Sequence, residues 1–579
     1  MIETDVLIVG SGPAGCSAGL ALSTYGIPNM IVTKYGWLAN TPRAHLNNQR
    51  TMEILRDLGV EPEVIAKASP QDILGNAVFC TSLAGEELGR LRMFGTEPRR
   101  RADHTLASPC SMCDLPQNLL EPIILGAAAE RGTRVRFLSE YLSSRQDAVG
   151  VTAEVKDHVS NQTYQIRAKY LLGADGANSK VAEDAGLPLE GKMGVAGSMN
   201  IVFHCDLTQY VSYRPSVLYW VLQPGSDVGG VGMGVIRMVR PWKDWLAIWG
   251  YDINAGAPQL TGQAAEAIVR NLIGDQHVPI QIRSCSLWTV NDMYATRYST
   301  GRVFCMGDAV HRHPPMNGLG SNTSIQDAYN LAWKLALVLK GKANPELLDT
   351  YNEERVPIGQ QIVKRANKSI GETGAIFEAL GLQPGIEVAQ MWRNMEARKS
   401  ATPEAAAQRE NLRKAILQKN YEFNTHGVEL NQRYRSAAVV SDGTLEPPFE
   451  RDAELYFHPT TWPGARLPHV WLQQKDGRQI STLDIAGKGR FVVLTGIGGE
   501  RWVEAARKAS SAHEIAIEGF VIGPGRDFTD LYGEWAEARE IGESGCLLVR
   551  PDAHVGWRAA EAGDEQNRLS AAVARMLGR

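Results

Sequence analysis

Three stretches of the chain combine residue types and spacings suited to holding a large anionic ligand with a flat ring. The longest is Gly301 to Lys334, GRVFCMGDAVHRHPPMNGLGSNTSIQDAYNLAWK. It reads as a short apolar strand, then Gly307-Asp308, then a loop rich in Pro and Gly. A helix follows, with Ile325, Ala328, Leu331, Ala332 and Leu335 at helical spacing. A strand-end carboxylate accepts a sugar hydroxyl, and loop amides at a helix N-terminus face negative charge. The second stretch is Gly10-Ser11-Gly12-Pro13-Ala14-Gly15 between an apolar strand and a helix of small residues, a G-x-G-x-x-G fingerprint. Its glycines provide a tight turn, close backbone approach to a pyrophosphate and close helix–sheet packing. The third is Leu171-Leu172-Gly173-Ala174-Asp175-Gly176, again an apolar strand ending in Asp-Gly with a helix just beyond.

Two further clusters carry reactive side chains. Arg43, His45, Asn47, Asn48, Gln49 and Arg50 crowd a polar loop, where an Arg suits a phosphate and a His suits a proton near neutral pH. Cys110 and Cys113 form a C-x-x-C, the spacing of a redox dithiol. A zinc site would need a second Cys/His pair, and none has the spacing. The fingerprint also lacks a part. The acid that usually follows about 20 residues on, to bind a ribose hydroxyl, is replaced by Thr33-Lys34 at the end of the second strand. Thr33 offers one weaker hydrogen bond.

The elements that must position these residues follow from pattern. Residues 4–34 read strand, Gly turn, helix, strand. A helix is expected over 51–58. Another is expected over 114–131, with Asp114 as N-cap and Gln117 near its start. Stretches within 198–252 alternate or run as β-prone segments between Gly turns, which predicts an antiparallel sheet carrying Tyr219, Trp249 and Tyr251 as candidate walls for a flat apolar ligand. Residues 345–430 are mostly helical, 436–465 read as a Pro-rich linker, and the remainder alternates α and β in the order of a thioredoxin-like sandwich.

With 579 residues the chain has length for about three domains, and 44% hydrophobic with 21% charged residues is ordinary globular composition. A net charge of -4 and no basic run interleaved with aromatics argue against nucleic acid. No apolar stretch reaches the ~18 residues of a membrane span, and the acidic start MIETD is unlike a signal peptide. Eight dispersed cysteines fit a reduced compartment, so a cytoplasmic protein is expected.

The three Gly-Asp stretches, in their order and spacing, resemble the flavin motifs of single-component aromatic hydroxylases, the class A flavoprotein monooxygenases. WPGARLPHVWL and LLVRPDAHVGWR resemble the thioredoxin-like tail of the phenol hydroxylase branch. The resemblance implies a Rossmann-like FAD-binding domain (residues 1–75, 106–185 and 290–370) and an antiparallel-sheet substrate domain (76–105 and 186–289). A helical connector (371–440) and a thioredoxin-like domain (441–579) complete an α/β and α+β architecture. It implies FAD on Gly10, Gly12, Pro13, Ala14, Gly15, Thr33, Lys34, Arg43, Gln117, Asp175 and Asp308, with the flavin ring by Pro315, Gly318, Leu319, Gly320, Ser321 and Asn322.

NADPH or NADH is expected as a transiently bound co-substrate, since no second dinucleotide motif is present, and no metal is expected. The implied reaction is hydroxylation of a phenolic ring, chlorinated phenols included, ortho to its hydroxyl to give a catechol through a C4a-hydroperoxyflavin. The expected partners are a small phenol and O2, with a homodimer admitted. In better-known phenol hydroxylases an Asp occupies the loop position of His45, which makes His45 the expected general base. Two other readings are open: a flavin oxidoreductase acting through Cys110 and Cys113, and a flavin-free regulator on the same fold.

Overall fold

A computed structural model of the chain describes residues 2–224 and 233–579. Of the β-prone stretches expected within 198–252, the one at residues 229–238 therefore lies partly outside the described residues, and the described strand is Met233–Arg240.

The N-terminal sheet is built on parallel strands in the order Val303–Cys305, Thr163–Gly173, Ile2–Val9, Asn29–Val32 and Arg134–Arg136, extended by the short antiparallel edge Ser299–Thr300. Asn29–Val32, Val303–Cys305 and the carboxyl-terminal halves of Ile2–Val9 and Thr163–Gly173 are apolar runs buried on both faces, as central parallel strands must be, whereas the edge strand Arg134–Arg136 is largely exposed. Their register brings the functional stretches together. Val9 pairs with Val32 and with Gly173, and Gly173 pairs with Cys305. The residues just beyond, Gly10, Thr33, Asp175 and Asp308, thus leave the carboxyl edge of one sheet, where open α/β sheets bind their ligands.

The second sheet runs in the order His311–Arg312, Gln281–Ala295, Leu189–His204, Asp244–Tyr251, Met233–Arg240, Leu218–Leu222, Asn76–Cys80 and Glu87–Arg92. Its pairs are antiparallel apart from Leu218–Leu222 with Asn76–Cys80. The strand His311–Arg312 belongs to the Gly307–Asn322 stretch, so that stretch is stitched to both sheets.

A seven-stranded C-terminal sheet has Phe491–Gly496 near its centre. Its side chains alternate as strand geometry demands. Val492 and Leu494 fill a core within this domain, while Phe491 and Val493 join the core that contains the N-terminal sheet. There the Trp333 ring meets Phe491 edge-on at 5.9 Å. Segment 436–465 is less of a solvated linker than its prolines suggest. Ala438 and Val440 are buried, and the Val440 amide donates to the Gly556 carbonyl at 2.8 Å, which lays the segment along the edge strand Val555–Ala559.

Two expected helices begin elsewhere. The helix over 51–58 is Gln49–Asp57, started by Asn48, whose side chain accepts from the Thr51 amide. The helix over 114–131 is Gln117–Glu130 with Pro116 before it. Asp114 is not its N-cap: it lies in a two-residue ladder, Cys113–Asp114 against Leu46–Asn47, where a buried charge partner outcompetes capping. No described helix is long and apolar enough to cross a membrane.

Candidate active site

The Gly10 turn is built for close approach. Gly10 has φ of +105°, and a Cβ there would stand 2.2 Å from the Ala174 carbonyl oxygen. A Cβ on Gly15 would meet the Gly10 oxygen at 2.0 Å, which fixes the helix against the strand. Gly12 differs. A Cβ there would meet only Glu121 Oε1, at 4.0 Å, so the space over this residue is open. The helix Pro13–Thr24 starts there with Pro13 in its first turn, no side-chain cap and no acid in that turn. Its free amides suit a pyrophosphate. Ala14 is buried and approaches the carbon that Gly307 lacks at 3.2 Å, so the first and last of the three stretches touch.

The side chains around this turn fall into two groups. Thr33 is buried, its amide donating to Arg136 and its carbonyl accepting from Ser139. Lys34 and Arg43 are exposed, with the Lys34 ammonium 5.5 Å from the Tyr35 ring centre and the Arg43 carbonyl accepting from the Gln117 amide. Gln117 donates to Glu121 Oε1 at 2.5 Å, and Glu121 Oε2 accepts from the Ala39 amide at 2.8 Å. Burial pushes the Glu121 carboxyl above its ordinary pKa. Sequence reasoning missed Glu121. The signal was its position four residues after Gln117 on one helix face.

The aspartates at the sheet edge also differ. Asp175 accepts from Ser179 Oγ at 2.5 Å and from the Val181 amide at 3.1 Å, so its carboxylate is engaged in starting the helix Lys180–Asp184. Asp308 is exposed, and among the described residues its carboxylate has no hydrogen-bond partner; only its carbonyl is used, by Arg312 Nε at 2.9 Å.

The loop that follows is wound tightly, with Asn317 at φ 65° and Gly318 at φ 63°. The helix Gly320–Leu339 begins behind Leu319 with no side-chain cap and no acid in its first turn. Ser321 Oγ is buried without a partner. Pro315 is exposed at the start of the loop. Asn322 serves as a clamp: its amide donates to the Leu46 and Gly318 carbonyls at 2.8 and 2.6 Å, and its oxygen accepts from the Asn48 amide at 2.9 Å. A Cβ on Gly318 would meet Leu46 Cδ2 at 3.2 Å. This clamp fixes the His45 loop beside the 315–322 loop.

His45 itself is buried, and among the described residues neither ring nitrogen has a partner within 3.5 Å. Its Nδ1 lies 3.7 Å from Asp114 Oδ1, and the other Asp114 oxygen accepts from Arg237 Nη2 at 2.5 Å. Burial, and then the Arg237 charge, lower the His45 pKa to about 4. Burial alone would raise Asp114, but Arg237 and His45 outweigh it and hold the carboxyl below its ordinary range. The result is a neutral imidazole beside an ionised carboxylate and a guanidinium, in a largely buried seam where the ladder Leu46–Asn47 with Cys113–Asp114 meets the strand Met233–Arg240. Asp114 and Arg237 are partners that sequence reasoning did not find.

Other candidates are placed elsewhere. Tyr219 is fully buried with its hydroxyl donating to the Arg214 carbonyl, a core position, whereas Trp249 and Tyr251 are half-buried. Cys110 and Cys113 are buried free thiols; burial pushes Cys113 up to about 12 and Cys110 higher still, which disfavours a reactive thiolate. Among the described residues no group of three or more His, Cys, Asp or Glu side chains is placed to hold a metal ion.

The open space over Gly12, the two uncapped helix starts, the free Asp308 carboxylate and the orphaned Ser321 hydroxyl fit a dinucleotide with a polyol chain and an electron-rich ring. Comparison with known proteins agrees. Residues 3–366 match the FAD binding domain family, and residues 460–579 match the aromatic-ring hydroxylase C-terminal family. The chain is 59% identical to a 2,4-dichlorophenol 6-monooxygenase of Delftia acidovorans, over 100% of this chain and 98% of that protein. It is 51% identical to a phenol 2-monooxygenase of Pseudomonas sp. (strain EST1001), over 96% of this chain and 90% of the relative. The crystal structure of the flavin-dependent monooxygenase PieE with FAD and substrate superposes with a TM-score of 0.96 at 45% identity, covering 100% of this chain and 99% of PieE.

Proposed function

Because the chain belongs to the FAD-dependent aromatic-ring hydroxylases, we propose that it hydroxylates a phenol, chlorinated phenols included, ortho to the ring hydroxyl to give a catechol. NADPH or NADH supplies electrons and O2 the oxygen atom. Bound FAD supplies the oxygen-activating chemistry. Gly12, Pro13, Ala14, Gly15 and Gln117 would hold its pyrophosphate end, Asp308 its polyol chain, and the 315–322 loop its ring. His45, Asp114 and Arg237 act on the phenol.

The observation that carries this reading is His45, buried, unpartnered and clamped beside the ring loop. A phenol must lose its proton for the ring carbon ortho to oxygen to become a strong nucleophile. At neutral pH His45 is unprotonated and can accept that proton. The ionised Asp114 would stabilise the imidazolium that results, and the Arg237 charge, already felt by His45, would favour a phenolate beside it.

The magnitudes point to a substrate class. A simple phenol has a pKa of about 10, against about 4 for His45. That gap of about six units would cost about 8 kcal/mol. Pairing of phenolate with imidazolium beside Asp114 offsets part of it, and ring chlorine removes more by acidifying the phenol. The seam is therefore better matched to acidified phenols than to phenol. The test is a panel of phenols of graded acidity, following NAD(P)H oxidation and hydroxylated product together. Catechol formation, with coupling rising as the phenol becomes more acidic, is expected. FAD-loaded protein that yields no hydroxylated product from any member would refute the reading.

A further inference from the structure

The thioredoxin-like domain contains a cavity of about 490 Å3, open to solvent, that the proposed reaction does not use. Its volume falls in the range of small-molecule clefts. Val440, Ile541, Trp557 and Ala572 give it an apolar floor, and Arg558, Arg568 and Arg575 bring three guanidinium groups to it.

These three cations are not equivalent. Arg558 is saturated. Its Nε donates to Asp442 at 2.6 Å, Nη1 to Glu540 at 3.0 Å and to Thr461 at 2.9 Å, and Nη2 to Thr444 at 3.2 Å. It pairs with both acids that line the cavity, so the three groups together carry a net charge of about -1. Arg568 and Arg575 have no carboxylate within ion-pair distance among the described residues. Arg568 lies over the Trp502 and Trp557 rings, 5.5 and 5.7 Å from their centres, and one of its Nη atoms donates to the Glu561 and Gly563 carbonyls. Stacking and backbone bonds hold this guanidinium in place without cancelling its charge. The cavity thus has an apolar floor, a triad of one Arg and two acids on one wall, and two cations without a carboxylate partner on the helix Glu565–Met576, which together leave it a net charge of about +1.

We propose that this cavity is a second binding site, separate from the catalytic seam, for a small aromatic monoanion, an aryl carboxylate or a phenolate. The ring would occupy the apolar floor and the anionic group would pair with Arg568 and Arg575, whose forked donors match a carboxylate. A bare phosphate would leave the floor unused, a dianion would exceed the lining's net charge of about +1, and a neutral ring would leave that charge unmet.

The test uses FAD-loaded full-length protein and sodium benzoate as the probe. Calorimetric titration measures binding and stoichiometry, and the flavin absorbance spectrum reports separately on occupancy of the catalytic seam. Benzoate binding that leaves the flavin spectrum unchanged is expected, weakening as salt rises. The double variant R568Q/R575Q should weaken it about tenfold or more, with turnover of a phenol unchanged. A second variant, Ala571→Trp, fills the cavity from an exposed helix position while keeping both charges, and should also abolish binding. Undiminished binding in both variants, or no binding by the parent protein, would overturn the proposal.

Discussion

Asp114 lies sealed between His45 and Arg237, whereas Asp308 stands exposed beyond the strand Val303–Cys305, its carboxylate without a hydrogen-bond partner among the described residues. One aspartate is completed by protein, and the other is the one we propose a ligand completes. In the seam, burial makes each charge depend on its neighbour, which suits the proton transfer we propose for it. At the sheet edge, water keeps an unpaired carboxylate inexpensive, so affinity for a polyol costs the fold little. The two regions are tied by Asn322, which joins the His45 loop to the ring loop through three hydrogen bonds.

Replacing His45 should have the largest effect, because it removes the proposed base for the phenol proton. His45→Ala is expected to lower kcat for phenol by about 10²–10⁴-fold. The loss should be smaller for a dichlorophenol, which needs less help to ionise. Steady-state kinetics with both substrates check this, and an equal loss for both would separate His45 from proton transfer.

Asp114→Ala comes next, and its effect is on stability. Removing the carboxylate leaves Arg237 buried without its counterion, which costs about 3–5 kcal/mol. Chemical denaturation measures it, and a change below about 1 kcal/mol would mean the seam is wetter than its burial indicates. A pH effect of similar size follows from His45. Its pKa is lowered from 6.5 to about 4 in the folded chain. The unfolded state therefore binds the proton first as pH falls, so stability drops between about pH 6.5 and 4, by about 3 kcal/mol from this residue. His45→Gln should flatten that part of the stability–pH curve.

What could be read from the sequence divides along the same line. The sheet edge was legible because each part is local: apolar strand, Gly turn and helix start lie within about 15 residues, and the pattern carries its own geometry. The seam was half legible. His45 stood out by type, but its partners come from distant segments. Arg237 and Asp114 are 123 residues apart in sequence. Asp114, followed by Leu115 and Pro116, looks like a helix cap, and only the strand pairing of Leu46 with Asp114 shows otherwise. The signal that could have found Arg237 is a lone charge inside the apolar run Val235-Ile236-Arg237-Met238-Val239, since a strand buried in a core does not carry a cation without a partner.

At the sheet edge, Asp308→Ala should leave folding nearly unchanged and weaken FAD binding. A hydrogen bond to a charged group is worth about 1.5–3 kcal/mol, or about 10- to 150-fold in Kd. Fluorescence titration of the stripped protein with FAD measures this. Retention of stoichiometric flavin at wild-type affinity would move Asp308 out of the cofactor site.

Asp175→Ala sharpens the comparison most finely, because Asp175 leaves the neighbouring strand of the same sheet and follows the same Gly-rich pattern. Its carboxylate already bonds Ser179 Oγ and the Val181 amide. The substitution should therefore act as a lost helix cap, about 0.5–2 kcal/mol of stability, with FAD affinity changed less than by Asp308→Ala. Thermal melts of the FAD-free protein and FAD titrations of both variants separate the two roles. If Asp175→Ala weakens FAD binding as strongly as Asp308→Ala while leaving the melt unmoved, its carboxylate turns to the ligand when FAD binds, and the division between a structural and a ligand-facing aspartate on this edge would fail.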